Sequence, residues 1–265
     1  MKNIFHSLVG DNLKKVKVIV NADDFGLTLG CNKGIIKGIN EGIITSTTVM
    51  INMPYAFRGI RELEAINFKS IGVHLTLTCG KPTLPVDKVP SLVDDSGNFY
   101  RRRAQLFPKM NLKEVELELH NQIKLFMSSG LRPSHLDSHH HIHMYDGLRE
   151  MVCKLAKMYD LPLRYANEET KEYLKENKIL TTDGFTMEFY DDMATIDTIK
   201  KNLTGFDGNT IEFMVHPAYV DEELLSLSSY NTNREKELEI LTSKSIIKWL
   251  KENNFELIGY HQLKE

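Results

Sequence analysis

The chain lacks several patterns that would place it in common protein classes. It has only three cysteines, Cys31, Cys79 and Cys153, and they form no Cys-x-x-Cys pair. An odd number of isolated cysteines argues against a disulfide scaffold and suits reduced thiols in a reducing compartment. We expect each to be a small hydrophobic side chain. No run of about 20 apolar residues is present to span a bilayer.

An excess of charge of one sign is also missing. The 33 basic and 36 acidic residues give a formal net charge of -3 and form no long block of one sign. This balance predicts neither a nucleic-acid nor a membrane partner, and it favours a small neutral molecule. Residues 1–14 lack the continuous apolar core of a secretory signal. We interpret them as an N-terminal extension of a cytoplasmic protein.

Short apolar strands alternate with segments of helical spacing, a pattern typical of parallel sheets. The length of 265 residues fits a single domain, 1–265, and no glycine-rich nucleotide-binding motif follows any strand. We therefore predict a distorted (β/α) barrel of about seven or eight parallel strands rather than an open doubly wound sheet. The predicted strands cover 16–20, 46–51, 71–77, 135–143, 163–165, 185–189, 210–215 and 255–260. The predicted helices cover 29–42, 55–66, 111–130, 146–159, 168–176 and 235–251.

Residues 81–108 interrupt this alternation. The segment contains four prolines and an Asp-Asp-Ser-Gly-Asn turn signal. Connections of this length often cover active sites. We expect it to lie over the mouth of the barrel.

Five of the ten histidines fall in one stretch of nine residues that starts at His135 and ends at His143. Burying so many neutral imidazoles without partners would be costly, so the density favours a metal site. An extended strand would direct Leu136 and Ile142 outward to pack under helices. The same alternation would direct a polar set inward, namely His135, Asp137, His139, His141 and His143.

Other polar groups occur where further strands are predicted to end. Asp23 and Asp24 follow the first strand, His74 lies in the third, and His216 closes the strand at 210–215. The carboxyl ends of barrel strands meet at one rim, so these side chains are expected to converge there. Simpler interpretations exist. The aspartates could cap the following helix, His74 could be a core histidine, and His216 could be a turn residue instead of a proton donor.

At these same positions the sequence resembles the YdjC-like carbohydrate deacetylases. The resemblance rests on Val20-Asn-Ala-Asp-Asp-Phe-Gly-Leu27, Gly42-Ile-Ile-Thr-Ser-Thr-Thr48, Gly72-Val-His74, Gly80-Lys-Pro82, Arg132-Pro-Ser-His-Leu-Asp-Ser-His-His-His-Ile-His-Met144 and His216-Pro-Ala218. It implies a distorted (β/α) barrel, a divalent ion, usually magnesium with zinc as the alternative, and hydrolysis of an N-acetyl group on a sugar. It is also compatible with a homodimer.

The resemblance also implies a role for each site residue. Asp24, His74 and His139 would bind the metal, Asp23 would be the base, and His216 would be the acid. The remaining polar residues of the histidine stretch would orient the ligands or bind sugar hydroxyls. These are His135, Asp137, His141 and His143.

Two other functions remain open from the residues alone. A metal-dependent phosphoesterase could use a histidine-rich barrel mouth, although Lys81 and Arg132 are the main basic residues in the motifs. A noncatalytic metal-binding or sugar-binding protein could use the same scaffold. Such a protein would not need both Asp23 and His216 beside the metal ligands.

Overall fold

The computed structural model describes residues 15–264. The predicted N-terminal extension, 1–14, lies outside the described residues. Seven strands form a single sheet in which all neighbouring strands run parallel. The strands are β1 (Lys17–Phe25), β2 (Ser46–Val49), β3 (Ile71–Leu75), β4 (Leu136–Ser138), β5 (Gly184–Thr186), β6 (Thr210–Val215) and β7 (Glu256–Leu257).

The sheet curls into an incomplete barrel. The strand order is β4-β3-β2-β1-β6-β5, and β7 pairs with the first residues of β1. Leu163 makes one further parallel bridge to Leu136 of β4. The next residue, Arg164, contacts Glu212 of β6 at 2.7 Å, although three strands separate β4 from β6. Only a closed curvature permits this contact. The predicted distorted (β/α) barrel is confirmed.

Ten helices connect or flank the strands within the described residues, and several short 3₁₀ turns accompany them. No helix of this part of the chain is long and apolar enough to cross a membrane. The helices are α1 (Leu29–Glu41), α2 (Ala56–Ala65), α3 (Arg103–Leu106), α4 (Leu112–Met127), α5 (Leu148–Tyr159), α6 (Glu168–Glu176), α7 (Ile196–Leu203), α8 (Glu222–Leu227), α9 (Asn233–Leu241) and α10 (Lys244–Glu252).

Two predicted boundaries were wrong in a way that bears on the site. The first strand continues through the polar residues to Phe25, because pairing with β2 resumes there after a bulge. The predicted helix 235–251 is two helices, since α9 ends before Thr242 and the Ser243 side chain caps α10. Because of this break, the axis of α9 need not follow the axis of α10.

The two faces of the sheet differ in chemistry. Along β1 and β6, one set of alternating side chains is apolar and packs beneath the helices. Val18, Val20 and Phe213 belong to this outer set, as does Leu136 of β4, which confirms its predicted direction. The inner set is polar and buried, and it contains Asn21, Asp23, Thr48, His74, Asp137 and Glu212. The barrel interior is therefore a polar chamber surrounded by an apolar shell.

The predicted strand over 135–143 is wrong beyond Ser138. A 3₁₀ segment follows β4 at once, spans His139–Met144, and contains positive φ angles of 56° at His140 and 50° at His141. Left-handed backbone ends the alternation of side chains. The histidines therefore do not share one face. Ile142 is nevertheless buried in the apolar cluster, as expected.

The segment 81–108 is anchored instead of being a plain loop. Glu118 of α4 accepts hydrogen bonds from the backbone of Thr83 and Leu84. Two residues of the segment itself add contacts: the Phe99 side chain is buried, and Arg103 donates a hydrogen bond to the carbonyl of His140 at 2.9 Å. These contacts place part of the segment against the histidine stretch.

The close packing of α1 against the segment after β6 makes a test of the fold. A Cβ at Gly34 would lie 2.5 Å from Cα of Ala218. Gly34→Ala is expected to destabilise the protein by about 1–3 kcal/mol through this overlap. In an ordinary helix the same change stabilises by ~1 kcal/mol. Urea unfolding measures the difference, with exposed Lys33→Ala as the control. A Gly34→Ala protein as stable as the control would contradict the described packing.

Candidate active site

A fully buried guanidinium lies at the centre of the barrel interior. Arg164 donates to both carboxylate oxygens of Asp23 at 2.7 Å, one through each terminal nitrogen. Its Nη1 is also 3.0 Å from Asp137, and its Nε donates to Glu212 at 2.7 Å. All four side chains are 3% exposed or less. One cation thus joins carboxylates from β1, β4 and β6.

Arg164 determines the ionisation of Asp23. Burial by itself raises the pKa of this carboxyl, but the charge and hydrogen bonds of Arg164 outweigh it and hold the pKa well below its ordinary value. Asn21 adds a hydrogen bond of 2.9 Å to Oδ1. Asp23 is therefore an ionised, rigidly oriented carboxylate.

His74 lies between two carboxylates. Its Nδ1 is 2.7 Å from Oδ1 of Asp137, and its Nε2 is 3.4 Å from Oδ1 of Asp24. Burial lowers the pKa of His74, yet the neighbouring Asp137 charge dominates and raises it to about 10. His74 therefore carries a proton at neutral pH. Asp137 also fixes the ring so that Nε2 faces Asp24.

Asp24 is held in an unusual conformation. Its φ of 65° lies in the left-handed region, which directs its side chain away from the regular alternation of β1. Arg234 of α9 donates to Oδ2 at 2.7 Å and, against the effect of burial, holds the pKa of this carboxyl well below its ordinary value. The buried Oδ1 has no hydrogen-bond partner among residues 15–264. One oxygen of Asp24 is thus fixed and the other is available.

His139 lies near His74, but among the described residues only Asp23, His74 and Asp137 form a group whose ligand atoms all lie within 4.8 Å of one another. The ring centroid of His139 is 5.8 Å from that of His74, and its Nδ1 is 2.9 Å from the Thr78 hydroxyl. Burial lowers the pKa of His139 well below its ordinary value, so its imidazole is neutral at neutral pH. Neutral imidazoles and carboxylates are good ligands for divalent ions.

His216 follows β6 directly and lies at the same rim. Its backbone N–H donates to Glu237 of α9 at 2.5 Å, and its Nδ1 is buried without a partner in the described part of the chain. The ring meets both Tyr190 and Tyr230 edge to face, each at 5.8 Å between centroids. Burial lowers the pKa of His216 to about 4. This imidazole is therefore neutral.

Among the other histidines of the run, His140 is exposed and stacks on His139 at 3.8 Å between ring centroids. The remaining three are His135, His141 and His143. His135 is fully buried and stacks on Tyr260 at 3.7 Å between ring centroids. His143 is also fully buried and lies 2.5 Å from the Ser138 hydroxyl. Only His141 of these three is partly exposed. His135 and His143 are thus packed beneath the site, and His141 borders it.

Four charged residues of the site were not predicted from the sequence. Arg164 and Glu212 interrupt apolar strand segments, and a charge inside such a segment is a signal that could have been used. Arg234 and Glu237 lie on a helix rich in charged residues. Nothing in their immediate sequence separates them from surface charges.

The charges in the interior fit a divalent cation. Four buried carboxylates, Asp23, Asp24, Asp137 and Glu212, face two buried guanidinium groups, those of Arg164 and Arg234. With His74 protonated, one negative charge remains. Two remain once His74 loses its proton to bind a metal ion, which is the charge that one divalent ion would neutralise. A fifth carboxyl, Glu237, has its pKa raised to about 7 by burial, so it adds little further charge.

Two positions in the interior offer ligand atoms. Ligand atoms of Asp23, His74 and Asp137 lie within 4.8 Å of one another. The oxygens at that position already accept hydrogen bonds from Arg164, Thr48 and Asn21. On the other side of His74, Oδ1 of Asp24 has only the long contact of 3.4 Å with Nε2 of His74 in residues 15–264. This less engaged buried oxygen favours the second position, and His139 lies on that side.

The sequence model of the YdjC-like protein family matches residues 17–252. This chain belongs to that family. Among its YdjC-like relatives, the carbohydrate deacetylase of Thermoanaerobacter pseudethanolicus is 38% identical over 247 residues, which cover 93% of this chain and 99% of the relative. The carbohydrate deacetylase of Enterococcus faecalis is 40% identical over 257 residues, covering 93% and 98%.

Solved structures share the fold. A protein from Enterococcus faecalis V583, described as a candidate cellobiose-phosphate cleavage protein, superposes with a TM-score of 0.89 at 39% identity. The match covers 94% of this chain and 99% of that one. The Xyl-CE4 domain of a xylanase from a Trinervitermes trinervoides hindgut metagenome gives a TM-score of 0.53 at 7% identity, with coverages of 94% and 89%. The second likeness concerns the fold alone.

The Arg164 cluster makes a test of the site's electrostatics. Arg164→Met is expected to destabilise this YdjC-like protein by about 3–5 kcal/mol, because three buried carboxylates lose their cation. Urea unfolding measures the change. Arg132→Met is the control, since its ion pair with Asp160 is exposed and worth under about 1 kcal/mol. Equal losses in the two variants would show that the buried cluster is not a stabilising contact.

Proposed function

We propose that this protein is a metal-dependent carbohydrate deacetylase. It hydrolyses the N-acetyl group of an acetylated sugar, such as N-acetylglucosamine or a chitin oligosaccharide, and releases acetate. The observation that carries the proposal is the pair of adjacent aspartates. Arg164 holds Asp23 ionised and oriented, while Asp24, directly beside it, directs its buried Oδ1 towards Nε2 of His74, with only a long contact of 3.4 Å between them. A base and a metal ligand thus lie side by side.

Asp24, His74 and His139 are the proposed ligands of a divalent ion. Magnesium is the expected ion and zinc is the alternative, because carboxylate and imidazole accept both. When bound, such an ion lowers the pKa of a coordinated water and polarises the acetamide carbonyl. Asp137 supports this set by accepting a hydrogen bond from the other nitrogen of His74, as carboxylates do beside metal-binding histidines.

Asp23 is the proposed general base. It accepts the proton of the water molecule that attacks the acetamide carbon, a role that requires an ionised carboxylate in a fixed direction. Arg164 keeps Asp23 ionised and binds both of its oxygens, and the same positive charge lowers the proton affinity of this carboxylate. Both oxygens are shared with Arg164, so proton transfer weakens one of these contacts.

His216 is the proposed general acid. Its imidazole is neutral in the structure, because burial lowers its pKa to about 4. Negative charge that develops on the substrate raises the proton affinity of a nearby imidazole. His216 takes up a proton from solvent and passes it to the sugar nitrogen as the carbon–nitrogen bond breaks, and the proton that Asp23 took from the attacking water returns to solvent. The products are acetate and a free amine.

The two other functions have less support. A phosphate dianion would need free cationic side chains, but Arg164 and Arg234 are both already paired with carboxylates. A noncatalytic binding protein would not need the ionised Asp23 and the buried His216 at one rim. The three cysteines are free thiols, which supports the proposed cytoplasmic location.

Replacing the base tests the reaction. Asp23→Asn is expected to lower kcat for acetate release from diacetylchitobiose by about 100-fold or more, because an amide cannot accept the proton. Acetate is measured enzymatically with metal-loaded protein. The matched control is Asp160→Asn, an exposed carboxylate at the end of α5, which should retain full turnover. Unchanged turnover in Asp23→Asn would exclude the assigned base.

Metal binding distinguishes the two cation positions. Asp24→Asn is expected to abolish stoichiometric binding of Mn²⁺ or Zn²⁺ in calorimetry, because a direct ligand is lost. Asp137→Asn is expected to weaken binding by only about 10–100-fold, because it removes a group that supports His74. An ion held instead by Asp23, His74 and Asp137 would give the reverse order. Circular dichroism confirms that each variant is folded.

A further inference from the structure

An exposed aromatic ring stands beside His216. Tyr190 is 40% exposed, and it lies in the segment between β5 and α7, for which the motifs assign no role. Its ring stacks on Tyr230 with 3.9 Å between centroids and an interplanar angle of 19°. One face is covered by this stack. The opposite face and the edge are therefore the parts that reach solvent.

The ring is held firmly for a surface side chain. The Tyr230 hydroxyl donates to the buried carboxylate of Glu237 at 2.5 Å and accepts from the backbone N–H of Asp191 at 3.0 Å. Asp191 has a φ of 54°, and its side chain accepts a hydrogen bond from Asn233 of α9. Tyr190 is thus fixed from below by its stacked partner and from its C-terminal side by α9.

Tyr190 faces the same rim as the proposed metal ligands. Its ring contacts the ring of His216 edge to face at 5.8 Å between centroids. Burial raises the pKa of Tyr190, and the charges of Arg234 and Asp24 also act on its phenol. Together with Tyr230, whose ring also meets that of His216 at 5.8 Å, Tyr190 gives the rim next to His216 an apolar side.

A pyranose ring suits such a surface. Its C–H groups form apolar faces, while its hydroxyl groups project around the edge. A tyrosine offers a large flat contact area and loses little conformational entropy, because it has only two side-chain torsions. Binding sites commonly combine such apolar walls with a few directed polar groups. His216 and Asp24 supply polar groups here.

We propose that Tyr190 is a specificity-determining residue, whose exposed face binds a sugar ring of the substrate beside His216. This inference rests on the proposed function and deepens it. We call this exposed face of Tyr190 the platform, and Tyr230 and Glu237 act as positioning residues for it. The contact contributes to binding and not to proton transfer, so it should affect KM far more than kcat.

Steady-state kinetics test the platform. Tyr190→Ala is expected to raise KM for diacetylchitobiose about tenfold, equivalent to ~1.4 kcal/mol, with kcat within about threefold of the original value. Tyr190→Phe keeps the ring and should restore the original KM. The matched control is Tyr219→Ala, because Tyr219 is 43% exposed and lies near Lys37 of α1. If KM were unchanged in Tyr190→Ala, the proposed sugar contact of Tyr190 would be wrong. The same would hold if KM rose as much in Tyr190→Phe as in Tyr190→Ala.

A binding measurement separates this inference from the proposed reaction. Diacetylchitobiose is titrated calorimetrically into Asp23→Asn and into Asp23→Asn with Tyr190→Ala, and the second change is expected to raise Kd about tenfold. If the original protein released no acetate from any acetylated sugar, the proposed reaction would be wrong. The calorimetric comparison would still test whether Tyr190 binds the sugar. If acetate were released but the two Kd values were equal, the platform alone would fail. Matching unfolding midpoints exclude misfolding.

Discussion

The structure depends on a single buried guanidinium. Arg164 has no exposed surface, and it contacts three carboxylates from strands that are separated in the sheet. Moving any of these charges out of water is costly unless the others compensate. The compensation is incomplete, since the interior carries more carboxylates than cations. We therefore expect the binding of a divalent cation to stabilise the barrel interior.

The same constraint explains how the charge is distributed. His74 receives the electrostatic effect of Asp137 on one nitrogen and of Asp24 on the other. Its pKa is raised to about 10, chiefly by Asp137, so the imidazole carries a proton at neutral pH. A proton and a metal ion compete for His74, because imidazole must be deprotonated to bind metal. We therefore expect metal binding to release a proton from His74.

The sequence predicted the fold and the members of the site better than their geometry. Asp23, Asp24, His74 and His216 meet at one rim because parallel strands bring their carboxyl ends together, a consequence of topology that alternation reveals. The strand predicted over the histidine run, 135–143, was wrong because of the local backbone conformation. Left-handed backbone at His140 and Asp24 redirects side chains, and neither residue type requires that conformation. Arg164 stood out only as a charge within an apolar segment, and its partners could not be predicted because they are distant in sequence.

Helix α9 contained a signal that the periodicity analysis did not use. Its buried residues are Arg234, Glu237, Leu238 and Leu241, at the spacing of an amphipathic stripe. Two of the four are charged, in positions where a core-packing helix carries apolar residues. Charges in a buried stripe must have partners, and here the partners are Asp24 for Arg234, and Tyr230 with the backbone of His216 for Glu237. Because both charges extend from one rigid helix, α9 fixes the distance between the proposed metal ligand and the proposed acid. The break after Leu241 matters for the same reason, since it lets this short helix be oriented by its polar contacts independently of the apolar packing of α10.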